Sequence, residues 1–226
     1  DRLNPRDFGI FLGRDRKDSK LEALNGALSQ VFDETPDSKV LIFAFFKRTL
    51  NYLKDAIPSM GILPGSNVFM INGDIPTESR RKIIERFRVC EGGAVLLLSE
   101  VGAEGHDFQF SDVLMNYDLP WNPMKVEQRI GRIDRYGQEK ERIRIYSFIL
   151  RGTIEEKILG RLYDRIGIFE ASIGDLEPIL GESIQELERS LFQEDLTTEE
   201  QIVKTEQILE SIEFKRLEAD QFREEQ

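Results

Sequence analysis

Five short apolar runs divide the first two thirds of the chain, and they restrict the fold more than any other feature. Strands are read at 68–71, 94–99, 113–117 and 143–150 as well as at 40–46 (VLIFAFF), which is a continuous apolar run bounded by turn signals. That pattern belongs to strands covered on both faces. Between the runs the spacing turns helical. Leu21, Leu24, Leu28, Val31 and Phe32 recur on one helical face behind Ser19, a candidate N-cap. Further helices are expected at about 48–57, 78–88 and 126–133. Strands alternating with helices predict an α/β fold, a parallel sheet with helices on both faces. Ligands in such sheets sit at the carboxyl ends of the strands, and residues 99–107 follow one such end.

The chain of 226 residues, 40% apolar, is long enough for one sizeable core with an appendage. Cys90 is the single cysteine and His106 the single histidine, so no internal disulfide and no metal-ligand set is expected. No apolar run approaches the roughly 18 residues of a membrane span, and no signal-peptide pattern occurs. The expectation is a cytoplasmic, reduced protein with no membrane partner. The net charge of −11 argues against nucleic acid until it is located: residues 171–226 hold 5 basic and 16 acidic side chains, which accounts for all of it. The body is neutral and can still offer a local basic patch to phosphates. Residues 1–18 read as a lead-in from upstream sequence, 19–166 as the body, and 167–226 as an acidic helical extension. Thr153 with Glu156 and Thr197 with Glu200 have capping-box spacing and predict helix starts.

Arg129, Arg132 and Arg135 stand three residues apart. On one helix each would rotate only about 60° from the last, so all three would fork toward one side. Planar guanidinium groups suit the charge that spreads over phosphoryl oxygens during transfer. An Arg-rich helix is more often a solvated face, but here Ile130, Gly131 and Ile133 intervene and require the segment to lie against something. Neither a GxxxxGK[S/T] phosphate loop nor an Asp-Glu-Ala/Gly-His metal motif occurs. The chain alone is therefore expected neither to hydrolyse ATP nor to bind it tightly.

Residues 99–109 (SEVGAEGHDFQ) and 127–138 (EQRIGRIDRYGQ) closely resemble the fifth and sixth motifs of superfamily-two helicases and translocases. The WNP of residues 121–123 is similar to the Swi/Snf branch, and GRIDRYGQ is most similar to its bacterial RapA-like members. The resemblance covers about residues 19–165 and implies a RecA-like fold, the second lobe of a motor. It implies that Arg132 and Arg135 are arginine fingers approaching ATP phosphates from this lobe, and that Arg129 helps join the lobes. Gln128 stands where related groups carry His or Gln. Gly105 is expected to allow a close backbone approach. Asp107 matches a carboxylate near the nucleotide sugar, although Swi/Snf members commonly carry Asn there.

On the nucleic-acid side, Ser99 matches a hydroxyl that meets a phosphate. Asn72 and Gly73 would place backbone N–H groups near another, Arg80 falls on the motif's arginine, and Lys47 and Lys125 are candidate phosphate contacts. His106 reads as a filler of the fifth motif, and Trp121 as a core anchor or an aromatic element near the DNA groove. The implied cofactors are ATP and Mg²⁺ in a full-length protein, in a site shared with a first RecA-like lobe. The implied partners are that lobe, double-stranded DNA, and RNA polymerase or a defence complex. The alternative is a non-catalytic RecA-fold scaffold in a nucleic-acid-bound complex.

Overall fold

The computed structural model describes residues 18–120, 123–140 and 142–150, with Glu200, Val203, Gln207 and Glu210. The expectations for Trp121, for the lead-in before Asp18, for the helix after Thr153 and for most of the acidic extension lie outside the described residues.

Five parallel strands form one sheet in the order β2-β3-β1-β4-β5. They are β1 (Lys39–Phe43), β2 (Val68–Ile71), β3 (Ala94–Leu98), β4 (Val113–Asn116) and β5 (Arg144–Ser147). The helices are α1 (Ser19–Glu34), α2 (Lys47–Ser59), α3 (Thr77–Val89), the single turn α4 (Glu100–Ala103) and α5 (Pro123–Ile130). Every residue of β1, β3 and β4 is buried. The reason is visible in the alternation along β1. Val40 and Ile42 pack with Leu24, Leu28, Leu50 and Leu53 of α1 and α2, whereas Leu41 and Phe43 pack with Phe69, Phe87 and Phe108 on the other face. Two apolar layers thus sandwich the sheet, and a continuous apolar run is the sequence consequence. On the second face Phe69, Phe87 and Phe110 meet edge to face at 5.8 Å, a favoured aromatic geometry. Among the described residues no helix is long and apolar enough to cross a membrane.

The last strand is shorter than the expected 143–150, at Arg144–Ser147, and three further boundary changes bear on the site. The first strand stops at Phe43, not 46. Ala44 N–H still reaches the Leu98 carbonyl, but the Phe45 N–H turns to the Asp118 side chain and Phe46 is 70% exposed. Asp18, not Ser19, caps α1: its carboxylate accepts Lys20 N–H and Leu21 N–H at 3.1 and 3.0 Å. The third change concerns the arginines. Helix α5 ends at Ile130, and residues 131–133 close in tighter turns, with Arg132 N–H on the Arg129 carbonyl and Ile133 N–H on the Ile130 carbonyl. The three arginines therefore do not share a helical face.

At the amino edge of the sheet, buried Asp112 accepts Ser38 Oγ at 2.7 Å, Lys39 N–H at 2.9 Å and Arg144 Nη2 at 3.1 Å. That cluster ties β1, β4 and β5 at the end remote from the motifs, and leaves the carboxyl edge to carry them.

Candidate functional site

All five strands point their carboxyl ends at one edge, which gathers the two motifs. The chain leaves β3 at Ser99, whose N–H donates to the Ile71 carbonyl at 3.2 Å while its hydroxyl accepts Gly102 N–H at 3.1 Å. Ser99 is thus the N-cap of α4. The close approach in this turn belongs to Gly102, where a Cβ would lie 2.6 Å from the Ile71 carbonyl oxygen. Gly105, expected to serve that purpose, has open space around it; its role is the left-handed backbone at φ +74°, which glycine adopts without steric cost.

Arg129 is the largest fully buried polar side chain, 2% exposed. Its Nε donates to Glu100 Oε1 at 2.7 Å, and its Nη2 donates to the same oxygen. Nη1 donates to Asn116 Oδ1 at 2.6 Å and to the Asp118 carbonyl at 3.1 Å. The guanidinium lies 4.9 Å from the Phe43 ring centroid and 5.4 Å from that of Phe45. A charge taken from water needs such partners, and these bind α5 to α4 and to the end of β4. Arg129, which the resemblance associates with joining two lobes, is held here within one body.

Arg132 differs. It is half-buried, and among the described residues its guanidinium has no hydrogen-bond or ion-pair partner. Together with Phe43, Glu100, Lys125, Gln128 and Arg129 it lines a cavity of about 210 Å³. Its carbonyl accepts Phe108 N–H at 2.8 Å, which fastens the loop after α4 to the loop after α5. Arg135 is exposed and donates through Nη1 to Asp107 Oδ1 at 2.7 Å. His106 lies within the field of Arg132, and its Nε2 is buried without a partner among the described residues. Burial, then the positive charges of Arg80, Arg81 and Arg132, lower its pKa below the ordinary 6.5 against a weaker pull from Asp107. His106 is accordingly neutral near pH 7.

The residues expected to meet nucleic acid form an adjoining group. Asn72 is buried, and its Oδ1 accepts Asp74 N–H at 3.0 Å, shaping the turn after β2. Lys47 pairs with Asp74. Arg80 is directed to three backbone carbonyls: Ile75 at 2.7 Å, Val101 at 2.9 Å and Gly73 at 3.2 Å. It staples the Asn72 turn to α4, so Lys47, Asn72, Gly73, Arg80 and Ser99 are neighbours at the carboxyl edge. Gln128 and Lys125 are exposed on α5 beside Arg132, whereas Asp107 and Arg135 stand past Gly105 as a separate pair.

Glu100, Asn116 and Asp118 escaped the sequence reading although they hold the arginine arrangement together. Their one signal was position: each is a polar residue at or just past the carboxyl end of an apolar run, where the side chain of a buried arginine can reach it.

The helicase conserved C-terminal domain model matches residues 19–137. The chain is 35% identical over 184 residues to the uncharacterized ATP-dependent helicase YqhH of Bacillus subtilis (strain 168), covering 80% of this chain and 32% of that protein. It is also 35% identical over 158 residues to the RNA polymerase-associated protein RapA of Vibrio parahaemolyticus, covering 70% of this chain and 16% of that one. The chain thus spans about a third or less of these relatives. Among solved structures, the C-terminal part of the Fun30 ATPase domain superposes with a TM-score of 0.57 at 24% identity, covering 69% of this chain and 50% of that one, a likeness of fold.

Proposed function

Because this chain belongs to the helicase conserved C-terminal domain family, as a RapA-like member of the superfamily-two, Swi/Snf type, we propose that it is the second motor lobe of an ATP-dependent translocase on double-stranded DNA. The observation that carries the reading is the contrast between Arg129 and Arg132. One guanidinium is fixed by carboxylate, amide, carbonyl and aromatic partners, while the next, three residues on, faces a cavity with no partner of its own among the described residues. A structural arginine is expected to look like Arg129. Arg132 has the form of a donor set held ready for an external anion.

In this reading a first RecA-like lobe in the same polypeptide holds ATP and Mg²⁺, and the nucleotide supplies the phosphoryl group. Arg132 presents its fork to the phosphate oxygens, and Arg135, oriented by Asp107, approaches from the side of the sugar. Gln128 and Lys125 flank them. Lys47, the Asn72 turn with Gly73, and Ser99 face the phosphate backbone of the DNA. Arg80, through its three carbonyls, keeps that group in register with α4. Since the Phe108 N–H is fixed to the Arg132 carbonyl, a shift of the DNA-side turn reaches the ATP-side loop without a slack joint. RNA polymerase, named for the RapA relative, is the proposed protein partner, and the cytoplasm the proposed location. Arg132→Ala in the full-length, two-lobed protein is expected to reduce ATP turnover by about 10³-fold or more, with duplex DNA affinity kept within roughly threefold. Undiminished turnover would remove Arg132 from the mechanism.

A further inference from the structure

Asp118 occupies a junction that the strand pattern does not require. Its carboxylate accepts Lys20 Nζ at 3.2 Å and Phe45 N–H at 3.2 Å, and its carbonyl accepts Arg129 Nη1 at 3.1 Å. The pair of Lys20 and Asp118 is shielded, with side chains 13% and 22% exposed, and the ammonium lies 4.9 Å from the Tyr117 ring centroid. The pair of Lys82 and Glu78 on α3, in contrast, is 74% and 83% exposed. Asp18, two residues before Lys20, caps α1 and accepts the Tyr52 hydroxyl at 2.8 Å. One continuous set of contacts therefore runs from the residue that follows the segment 1–17, through Lys20 and Asp118, to Arg129 and Glu100.

We propose that Asp118 is a positioning residue that couples the start of α1 to the Arg129 and Glu100 pair, with Lys20 as the lever. While Lys20 is seated, its ammonium neutralises the Asp118 carboxylate and Arg129 is left to Glu100. When Lys20 is drawn away, an unpaired carboxylate stands on the residue whose carbonyl already holds the guanidinium, and it competes with Glu100 for that charge. Glu100 opens α4, so its release loosens the helix and the wall of the cavity that Arg132 lines. A route thereby runs from the start of α1 to the arginine site. The effect on turnover, though not the coupling itself, rests on the function proposed above.

Amide hydrogen exchange on this chain tests the coupling. Lys20→Met is expected to speed exchange at Gly102 and Ala103 by at least about fivefold, as well as at the start of α1, and Lys20→Arg to restore protection at both. Faster exchange confined to residues 18–22, with α4 unchanged, would overturn the proposal. Asp118→Asn, which keeps an acceptor for the Phe45 N–H but removes the charge, should leave Lys20→Met without further effect on α4; an additional acceleration would contradict the assigned order. In the two-lobed protein, Lys20→Met should lower kcat severalfold at unchanged KM for ATP, and an unchanged kcat would refute the link to turnover. If the unsubstituted two-lobed protein hydrolyses no ATP under any condition, the motor reading fails, while the exchange result still decides the coupling.

Discussion

Arg129 and Arg132 have the same side chain and opposite surroundings, and the difference sets what each substitution should do. Removing Arg129 leaves Glu100 beside an emptied site and Asn116 without its donor. Arg129→Ala is expected to destabilise the lobe by about 3–5 kcal/mol, read as a lower urea midpoint. Arg129→Lys should recover only part, since an ammonium cannot bridge Glu100, Asn116 and the Asp118 carbonyl together. A midpoint unchanged by Arg129→Ala would contradict the structural role. His106 gives a pH prediction. Its pKa is lowered in the fold by burial and the neighbouring arginines, so the unfolded chain takes up its proton first as pH falls. Its contribution is fully present above pH 6.5 and is lost as pH drops through the lower folded value. His106→Asn should flatten the fall of Tm on the acid side of pH 6.5. A slope the same as that of the unsubstituted protein would assign the acid limb to other groups. Spacing placed these residues near one another but could not tell which arginine would be buried, because that depended on partners contributed by β4 and α4.

At the scale of elements, the strands were legible and their ends were not. Apolar runs located every strand, and they are unbroken in β1 and β3, which are covered on both faces, whereas the half-buried β5 carries Arg144 and Ser147 within its run. The same reading ran past Phe43, where Phe45 and Phe46 remain apolar although the ladder has ended and the next backbone donor goes to Asp118. Ser19 and Asp18 are both good caps by residue type, and only the side-chain geometry decides for Asp18. Asp18→Ala should cost about 1 kcal/mol, and Ser19→Ala much less. Tyr52 supplies a second readout of the same contact: burial and the Asp18 carboxylate raise its pKa from 10.0 to about 12. The stability it contributes is present below pH 10 and is lost as pH rises through 12, so Tyr52→Phe should blunt the alkaline limb. Helix α4 has its own constraint, which the glycine-bearing turn announced without saying which glycine mattered. Gly102→Ala presses a methyl against the Ile71 carbonyl and should cost about 1–3 kcal/mol, whereas a Gly105 substitution is opposed by its positive φ alone. Equal tolerance of the two glycines to D-alanine, introduced by semisynthesis, would contradict that division.

For the molecule as a whole, the sheet does two tasks at its two ends. Asp112 and Arg144 fasten the amino edge, and the carboxyl edge is left to polar turns that carry the motifs. The fold class followed from periodicity because covering both faces leaves a strong mark on sequence. The family was legible only through long ordered motifs, since the residues that set the geometry of the carboxyl edge come from separate turns. The proposed role of this lobe is in an ATP-driven motor on duplex DNA. It is tested most directly by the ATP hydrolysis rate of the full-length, two-lobed protein, alone and with double-stranded DNA, single-stranded DNA or RNA at one fixed salt concentration, because phosphate contacts make affinity strongly salt-dependent. The account predicts stimulation chiefly by the duplex; no turnover with any polymer would contradict it and favour a scaffold.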